Sequence, residues 1–356
     1  MADAGDVAAV AAAAAEASGN AQPLAGRVAI VTGASRGIGR AIAAHLSSLG
    51  ASLVLGYASR ADEADALAAS LPCAVAVRAD VSDEAGVRSL FDAAESAFGG
   101  AHILVANAGV MDDTYPAVAD TTTEAFDRVL AVNLRGAFLC LREAANSLPR
   151  GGGGRIVAVT SSVVGSLPPR YAAYTASKAA VEALVRTMAK ELRGTRVTAN
   201  CVAPGATASD MFFKGKSEDM VRRAVEVCPM ERLGEPGDIA PVVGFLCTDA
   251  AEWVNGQVIR ANGGYIGMLS RVQKSKPCAL LSRIGGRPAA SGLTSARGRA
   301  APTKKMDGKG SSDMDSAESR AFSTSSRNIT LRLNQEENKE MIMSVDKIIE
   351  HLHDCI

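Results

Sequence analysis

Aromatic residues are scarce in this chain, 4% of the total, with a single tryptophan. A core of large stacked rings is therefore not expected, and the abundance of Ala, Gly and Val suits a parallel sheet closely covered by helices. Net charge is missing too: 38 Lys and Arg balance 38 Asp and Glu. Nothing global then draws the protein to nucleic acid or to an anionic membrane, and a small neutral or anionic metabolite is the expected partner. The seven cysteines are scattered without a CxxC pair, which argues against a disulfide framework and for reduced thiols in a cytosol-like compartment. Four histidines, none at ligand spacing in the main body of the chain, leave no metal site expected. No apolar run approaches the roughly 20 residues of a membrane span. The amino terminus carries Asp3, Asp6 and Glu16 and no basic residue before Arg27, a poor match to a secretory signal or a transit peptide. A cytoplasmic protein is expected, with a plastid location left open.

What is present is a hydrophobic fraction of 47% over 356 residues, enough for a sizeable core. The chain divides into regions of different texture. Residues 1–22 are an alanine-rich arm with no apolar stripe to bury, expected to be a frayed helix or disordered. Residues 23–266 alternate short apolar runs (28–31, 53–55, 103–105, 156–159, 197–202, 258–261) with helical stretches such as 38–49 and 84–98. Repeated βα alternation with continuously apolar strands predicts a single α/β domain of the Rossmann type, a doubly wound parallel sheet with right-handed crossovers. Residues 267–333 have the composition of a disordered linker, rich in Gly, Ser, Ala and Pro over 283–327. In 334–354, Asn334 and Glu337 offer a capping box, and Met341, Ile342, Val345, Ile348, Ile349 and Leu352 recur at helical spacing, which predicts a short amphipathic helix.

The first strand runs straight into Thr32-Gly33-Ala34-Ser35-Arg36-Gly37-Ile38-Gly39 and then a helix. Strand, glycine turn and helix together make a dinucleotide-binding fingerprint. Gly33 permits the tight turn, Gly37 lets the backbone approach a pyrophosphate, and Gly39 allows close helix–strand packing. An NAD site usually ends its second strand with an acid for the ribose 2′-hydroxyl. Here the sequence is Gly56-Tyr57-Ala58-Ser59-Arg60, with no carboxylate before Asp62. Arg36 and Arg60 can instead neutralise a 2′-phosphate and Ser59 can hydrogen-bond it, so NADP(H) is the expected cofactor.

Tyr174 and Lys178 stand four residues apart in a helical run, which stacks them on one helix face. Alone, such a pair is equally at home on a solvated surface. Upstream, Ser161 and Ser162 follow the strand 156–159, putting a serine hydroxyl at the carboxyl edge of the sheet, where doubly wound folds bind ligands.

The glycine loop, Ala106-Asn107-Ala108-Gly109, Asn133-Leu134-Arg135-Gly136, the serine, the Tyr174/Lys178 pair and Pro204-Gly205 occur in that order. Over about residues 25–266, roughly two thirds of the chain, this resembles the short-chain dehydrogenase/reductase family. The resemblance implies that Ser162, Tyr174 and Lys178 are catalytic, with Asn133 completing a proton relay, and that Ser162 rather than Ser161 fills the family position. It further implies that Asp80 and Val81 contact the adenine, that Asn107, Ala108 and Gly109 border that side, and that Pro204, Gly205 and Thr207 meet the nicotinamide. Ser209 stands where the family often has a threonine for the carboxamide. Tyr174 would protonate the carbonyl oxygen, aided by a Lys178 ammonium that favours phenolate. Tyr171 is excluded as the acid because position 175 is Thr175 and not lysine.

Stretches such as Glu252-Trp253-Val254-Asn255-Gly256-Gln257 and Met211-Phe212-Phe213 resemble plant-type NADPH-dependent aldehyde reductases, which implies reduction of small aldehydes or ketones. Residues 208–228 are expected to form a lid, with Met211, Phe212 and Phe213 either lining the pocket or packed in the core. The resemblance implies a homodimer or homotetramer. About 90 residues follow the matched region; they read either as unrelated sequence joined to the domain or as a partner-binding tail. Two other functions share these residues: reduction of a 3-oxoacyl thioester, for which Lys214, Lys216, Arg222 and Arg223 would greet a carrier protein, and NADP(H) sensing without turnover.

Overall fold

The computed structural model describes residues 22–265. All but residue 22 of the expected arm, the expected linker 267–333 and the expected closing helix 334–354 lie outside the described residues. Seven strands form one sheet: β1 (Val28–Thr32), β2 (Ser52–Tyr57), β3 (Ala74–Arg78), β4 (Ile103–Ala106), β5 (Arg155–Val159), β6 (Thr198–Pro204) and β7 (Val258–Ala261). Their order is β3-β2-β1-β4-β5-β6-β7, and every neighbouring pair is parallel. The Rossmann-type doubly wound sheet expected from the alternation of apolar runs is therefore the observed fold.

The helices are α1 (Gly37–Ser48), α2 (Ala61–Ser70), α3 (Glu84–Phe98), α4 (Thr123–Leu130), α5 (Ala137–Ser147), α6 (Val163–Ser166), α7 (Ala172–Glu191), α8 (Asp210–Phe213), α9 (Glu218–Glu226) and α10 (Pro236–Cys247). Successive strand residues face opposite sides, so each central strand feeds two cores. Ile30, Val54, Leu104 and Ile156 pack with α3, α5 and α7 through Leu90, Leu141 and Val185. Ala29, Val31, Leu53 and Ile103 pack on the other face with α1 and α10 through Ile42, Leu46, Val243 and Leu246. Strands buried on both faces read as unbroken apolar runs, which is why they were legible.

One strand escaped the sequence reading. β3 sits at the sheet edge and none of its residues is fully buried; its Ala-Val-Ala-Val-Arg run alternates small residues and carries no large apolar side chain, unlike the other edge strand, whose Val-Ile pair was legible. The loops at the carboxyl ends of the strands make the site. Between β1 and β4 the winding reverses, β2 and β3 lying to one side and β5 to β7 to the other. The diverging connections leave a crevice there.

Candidate active site

The cofactor half of the crevice is built mostly from backbone. Gly33 and Gly37 have φ of +66° and +54°, left-handed conformations that favour glycine. Gly39 is constrained by space: a Cβ there would lie 2.2 Å from the Gly33 carbonyl oxygen and 2.5 Å from Asn107 Nδ2. Asn107 Nδ2 donates to the carbonyls of Thr32 (2.9 Å) and Gly33 (3.2 Å). Thr32 Oγ1 in turn accepts from the backbone N–H groups of Asn107 and Ala108, both at 3.0 Å. These bonds lock the ends of β1 and β4 together. Thr32 was not singled out from the sequence, and its signal is a lone hydroxyl ending a fully buried strand.

The glycine turn opens into a cavity of about 500 Å³ lined by every cofactor residue expected from the sequence, from Gly33, Ser35, Arg36, Gly37, Ile38 and Gly39 to Pro204, Gly205, Thr207 and Ser209. Tyr57, Ser59, Arg60, Asp80 and Val81 line it as well. Asp80 Oδ1 accepts from the backbone N–H and hydroxyl of Ser82. Arg36 Nη1 lies 2.8 Å from Asp210 Oδ2, and Arg60 Nη2 lies 3.9 Å from the same oxygen. Two guanidiniums thus flank one carboxylate oxygen at this end, a donor set suited to a phosphate. The main-chain cradle and these cations fit a dinucleotide bearing a 2′-phosphate. Ser209, expected near the carboxamide, has its hydroxyl engaged: it donates to the Thr207 carbonyl (3.3 Å) and caps the Phe212 N–H (3.3 Å).

The other half rests on α7, which carries both Tyr174 and Lys178, the pair expected to be catalytic. Lys178 is 5% exposed. Its Nζ donates to the Val159 carbonyl at 2.9 Å and lies 5.8 Å from the Tyr174 ring centroid. Burial lowers the Lys178 pKa to about 8 and raises that of Tyr174 to about 12. Desolvation thus opposes the phenolate form, and the nearby Ser161 hydroxyl acts the other way.

Both serines line the cavity, and the hydroxyl of Ser162, the residue the resemblance implies is catalytic, is engaged with β6 and its neighbourhood. Ser162 is 1% exposed; its Oγ donates to the Ala203 carbonyl at 2.9 Å and accepts from Asn262 Nδ2 at 3.1 Å. Ser162 N–H also donates to the Pro204 carbonyl, which ties the residue to β6. Asn133 lies in a π-helical turn, Ala131–Gly136, a distortion often found at functional sites. Its Oδ1 accepts from Val110 N–H (2.7 Å), and its Nδ2 donates to the Val110 carbonyl (2.8 Å) and to Ser177 Oγ (3.2 Å). Asn133 thus clamps the strand-end loop. A Cβ on Gly109 would come within 3.3 Å of Asn133 Oδ1 and 3.5 Å of Lys178 Nζ, so the missing side chain keeps the space between those two groups open.

Residues 208–228 close over the far side of the cavity, which Met211, Phe212, Lys216, Met220 and Val227 line together with Tyr171 and Tyr265. Phe213 instead is 47% exposed and stacks edge-on against Phe212 at 5.3 Å. The expected alternatives, pocket lining or core, thus divide: Met211 and Phe212 line the pocket, and Phe213 does neither. Among the described residues no helix is long and apolar enough to cross a membrane.

Residues 33–266 match the family model described as "Enoyl-(Acyl carrier protein) reductase". An Arabidopsis thaliana protein named NADPH-dependent aldehyde reductase-like protein, chloroplastic, is 54% identical over 258 residues, 68% of this chain and 96% of that protein. A short-chain type dehydrogenase/reductase of Picea abies is 54% identical over 253 residues, 68% of this chain and 93% of its own length. Among solved structures, a short chain dehydrogenase from Burkholderia cenocepacia in complex with NADP aligns with a TM-score of 0.64 at 34% identity, covering 68% of this chain and 99% of the other. The chain belongs to the short-chain dehydrogenase/reductase family.

Proposed function

We propose that this protein uses NADPH to reduce a small aldehyde or ketone to the alcohol, with Tyr174 as the proton donor. It is an NADP(H)-dependent oxidoreductase, as its relatives' names indicate. The observation that carries the finer reading is the meeting of Tyr174, Ser161 and Lys178 on the floor of one cavity whose cofactor end holds Arg36 and Arg60. Bound NADPH supplies the hydride for the carbonyl carbon. Charge then builds on the carbonyl oxygen, which needs donors already in place. Tyr174 gives its proton to that oxygen; burial, which raises the phenol's pKa to about 12, keeps it protonated at neutral pH, and Lys178 lowers the cost of giving the proton up. Ser161, not Ser162, is the second donor to the same oxygen. Lys178 holds a positive charge beneath the phenol and offsets the negative charge as it develops. Asn133, anchored on Val110 and Ser177, positions the loop across which a proton would return to Lys178.

A thioester substrate on a carrier protein is less well supported. Of the cations that would greet the carrier, Lys214 pairs with Asp113 at 2.7 Å and Arg222 with Asp219, while Lys216 turns into the cavity. A sensor without turnover has no need of the buried tyrosine–lysine pair. Half-exposed Phe126 on α4 and Phe138 on α5 support assembly into a homodimer or homotetramer. The chloroplastic label of two relatives favours the plastid over the cytoplasm.

The test is NADPH oxidation by the purified protein against short aldehydes, ketones and acetoacetyl thioesters, beside Tyr174→Phe. Turnover of the aldehydes is expected, with a fall in kcat on the order of 10³-fold in the variant and NADPH binding retained. Near-normal turnover by Tyr174→Phe refutes the assignment of the acid.

A further inference from the structure

Lys216 is the cation of the lid that has turned inward. It stands between α8 and α9, next to Gly215, whose φ is +71° and whose position could not accept a Cβ: that atom would lie 2.0 Å from the Asp113 carbonyl oxygen. The close pass of Gly215 over Asp113 fixes where the next residue goes. Lys216 Nζ donates to Tyr115 Oη and to the Phe212 carbonyl. Around it lie the rings of Phe212 (4.5 Å to the centroid), Tyr115 (4.6 Å) and Tyr171 (5.8 Å). Tyr115 is itself 4% exposed and its hydroxyl donates a hydrogen bond to the Lys214 carbonyl, which leaves its oxygen free to accept from Lys216.

The surroundings of this cation lack an anion. Among the described residues no carboxylate lies within 4.0 Å of Lys216 Nζ, whereas its lid neighbours Lys214 and Arg222 are each in an ion pair. Burial lowers the Lys216 pKa to about 8, so it remains cationic at neutral pH. Three rings compensate part of the lost hydration. An ammonium has three donors, and the two hydrogen bonds use two of them. Lys216 lines the same cavity as Tyr174, alongside the apolar Met220 and Val227. A half-buried cation with a donor to spare and, among the described residues, no counter-ion, set in a stretch of wall that offers no other charge, is suited to an anionic oxygen from the ligand.

We propose that Lys216 is a specificity-determining residue that selects carbonyl substrates carrying a carboxylate at the end away from the reacting carbon. The proposal rests on the reductase reading above and names its substrate class. The rings of Tyr115, Tyr171 and Phe212 hold the ammonium in place, and the carboxylate binds it while the carbonyl oxygen meets Tyr174 and Ser161.

The experiment compares one aldehyde with and without the charge: 4-oxobutanoate against its methyl ester, and 5-oxopentanoate against its methyl ester, for the wild type, Lys216→Met and Lys216→Arg. Wild type is expected to prefer the free acid of at least one pair in kcat/KM by about tenfold or more. In Lys216→Met the acid-to-ester ratio collapses toward one, through KM of the acid, and in Lys216→Arg most of it survives. NADPH binding to each variant, read by fluorescence, shows that the fold and the cofactor half are intact. Equal losses on acid and ester would make Lys216 a lid fastener only and overturn the proposal, as would a wild type with no preference for either acid. Turnover of the esters without such a preference leaves the reductase reading standing, while silence on all four compounds with NADPH bound overturns the proposal and leaves the reductase reading to be decided by the aldehyde and ketone panel.

Discussion

The two halves of the cleft are made of different material. On the cofactor side the binding surface is backbone at the ends of β1 and β4, fastened by Thr32 and Asn107, with glycines where a side chain would strike main-chain atoms. On the substrate side it is side chains of the lid, where Met211, Met220 and Val227 remain 36%, 37% and 55% exposed. A surface made of backbone tolerates almost no substitution, and a surface made of exposed side chains tolerates many. The contrast implies that this fold holds its cofactor chemistry constant while the lid sets which carbonyl is admitted.

The sharpest way to probe that contrast is at the floor where the halves meet. Ser161→Ala should lower kcat by about 10²-fold, the scale for losing one donor to a developing oxyanion, with NADPH affinity kept. Ser162→Ala should instead act on stability, losing about 1–2 kcal/mol with the buried bonds to Ala203 and Asn262, and should keep most of its turnover. Paired kinetics and thermal melts decide the matter, and a reversed pattern would restore Ser162 to the catalytic position. One step down in effect is Gly39→Ala. A methyl at 2.2 Å from a carbonyl forces the glycine turn to move, and NADPH binding should weaken by about 10- to 100-fold. An unaltered dissociation constant would mean that the cofactor half is as adaptable as the lid, and the comparison would fail.

The same contrast explains what was legible in the sequence. Residues 33–39 stood out because tight turns and close approaches demand glycine, and glycines at fixed spacing after an apolar strand are visible without coordinates. Tyr174 and Lys178 stood out because helical spacing puts both on one face of α7. The adjacent serines could not be separated that way. Both line the cavity, and how their hydroxyls are engaged depends on the turn after β5 and on how Ser162 is tied to β6. The Lys216 cage was invisible for a different reason. Tyr115, Tyr171 and Phe212 come from separate segments, and only the folded chain brings their rings around one ammonium.

The smallest effect belongs to a residue that crosses from one half to the other. Asp210 begins α8 in the lid, yet its carboxylate reaches Arg36 at 2.8 Å and Arg60 at 3.9 Å, the two cations fitted to a 2′-phosphate. A phosphate arriving there competes with the carboxylate for the same donors, so NADPH binding must loosen a lid contact as it forms. Asp210→Asn removes the competing charge. Because all three side chains are roughly half or more exposed, the gain is modest: NADPH affinity should rise by up to about fivefold, and NADH affinity, which involves no 2′-phosphate, should not change. Raising ionic strength should shrink the difference between variant and wild type, since exposed charges are screened. A fall in NADPH affinity would give Asp210 the opposite part, orienting Arg36 for the phosphate. In that event the lid would belong to the cofactor half as much as to the substrate half.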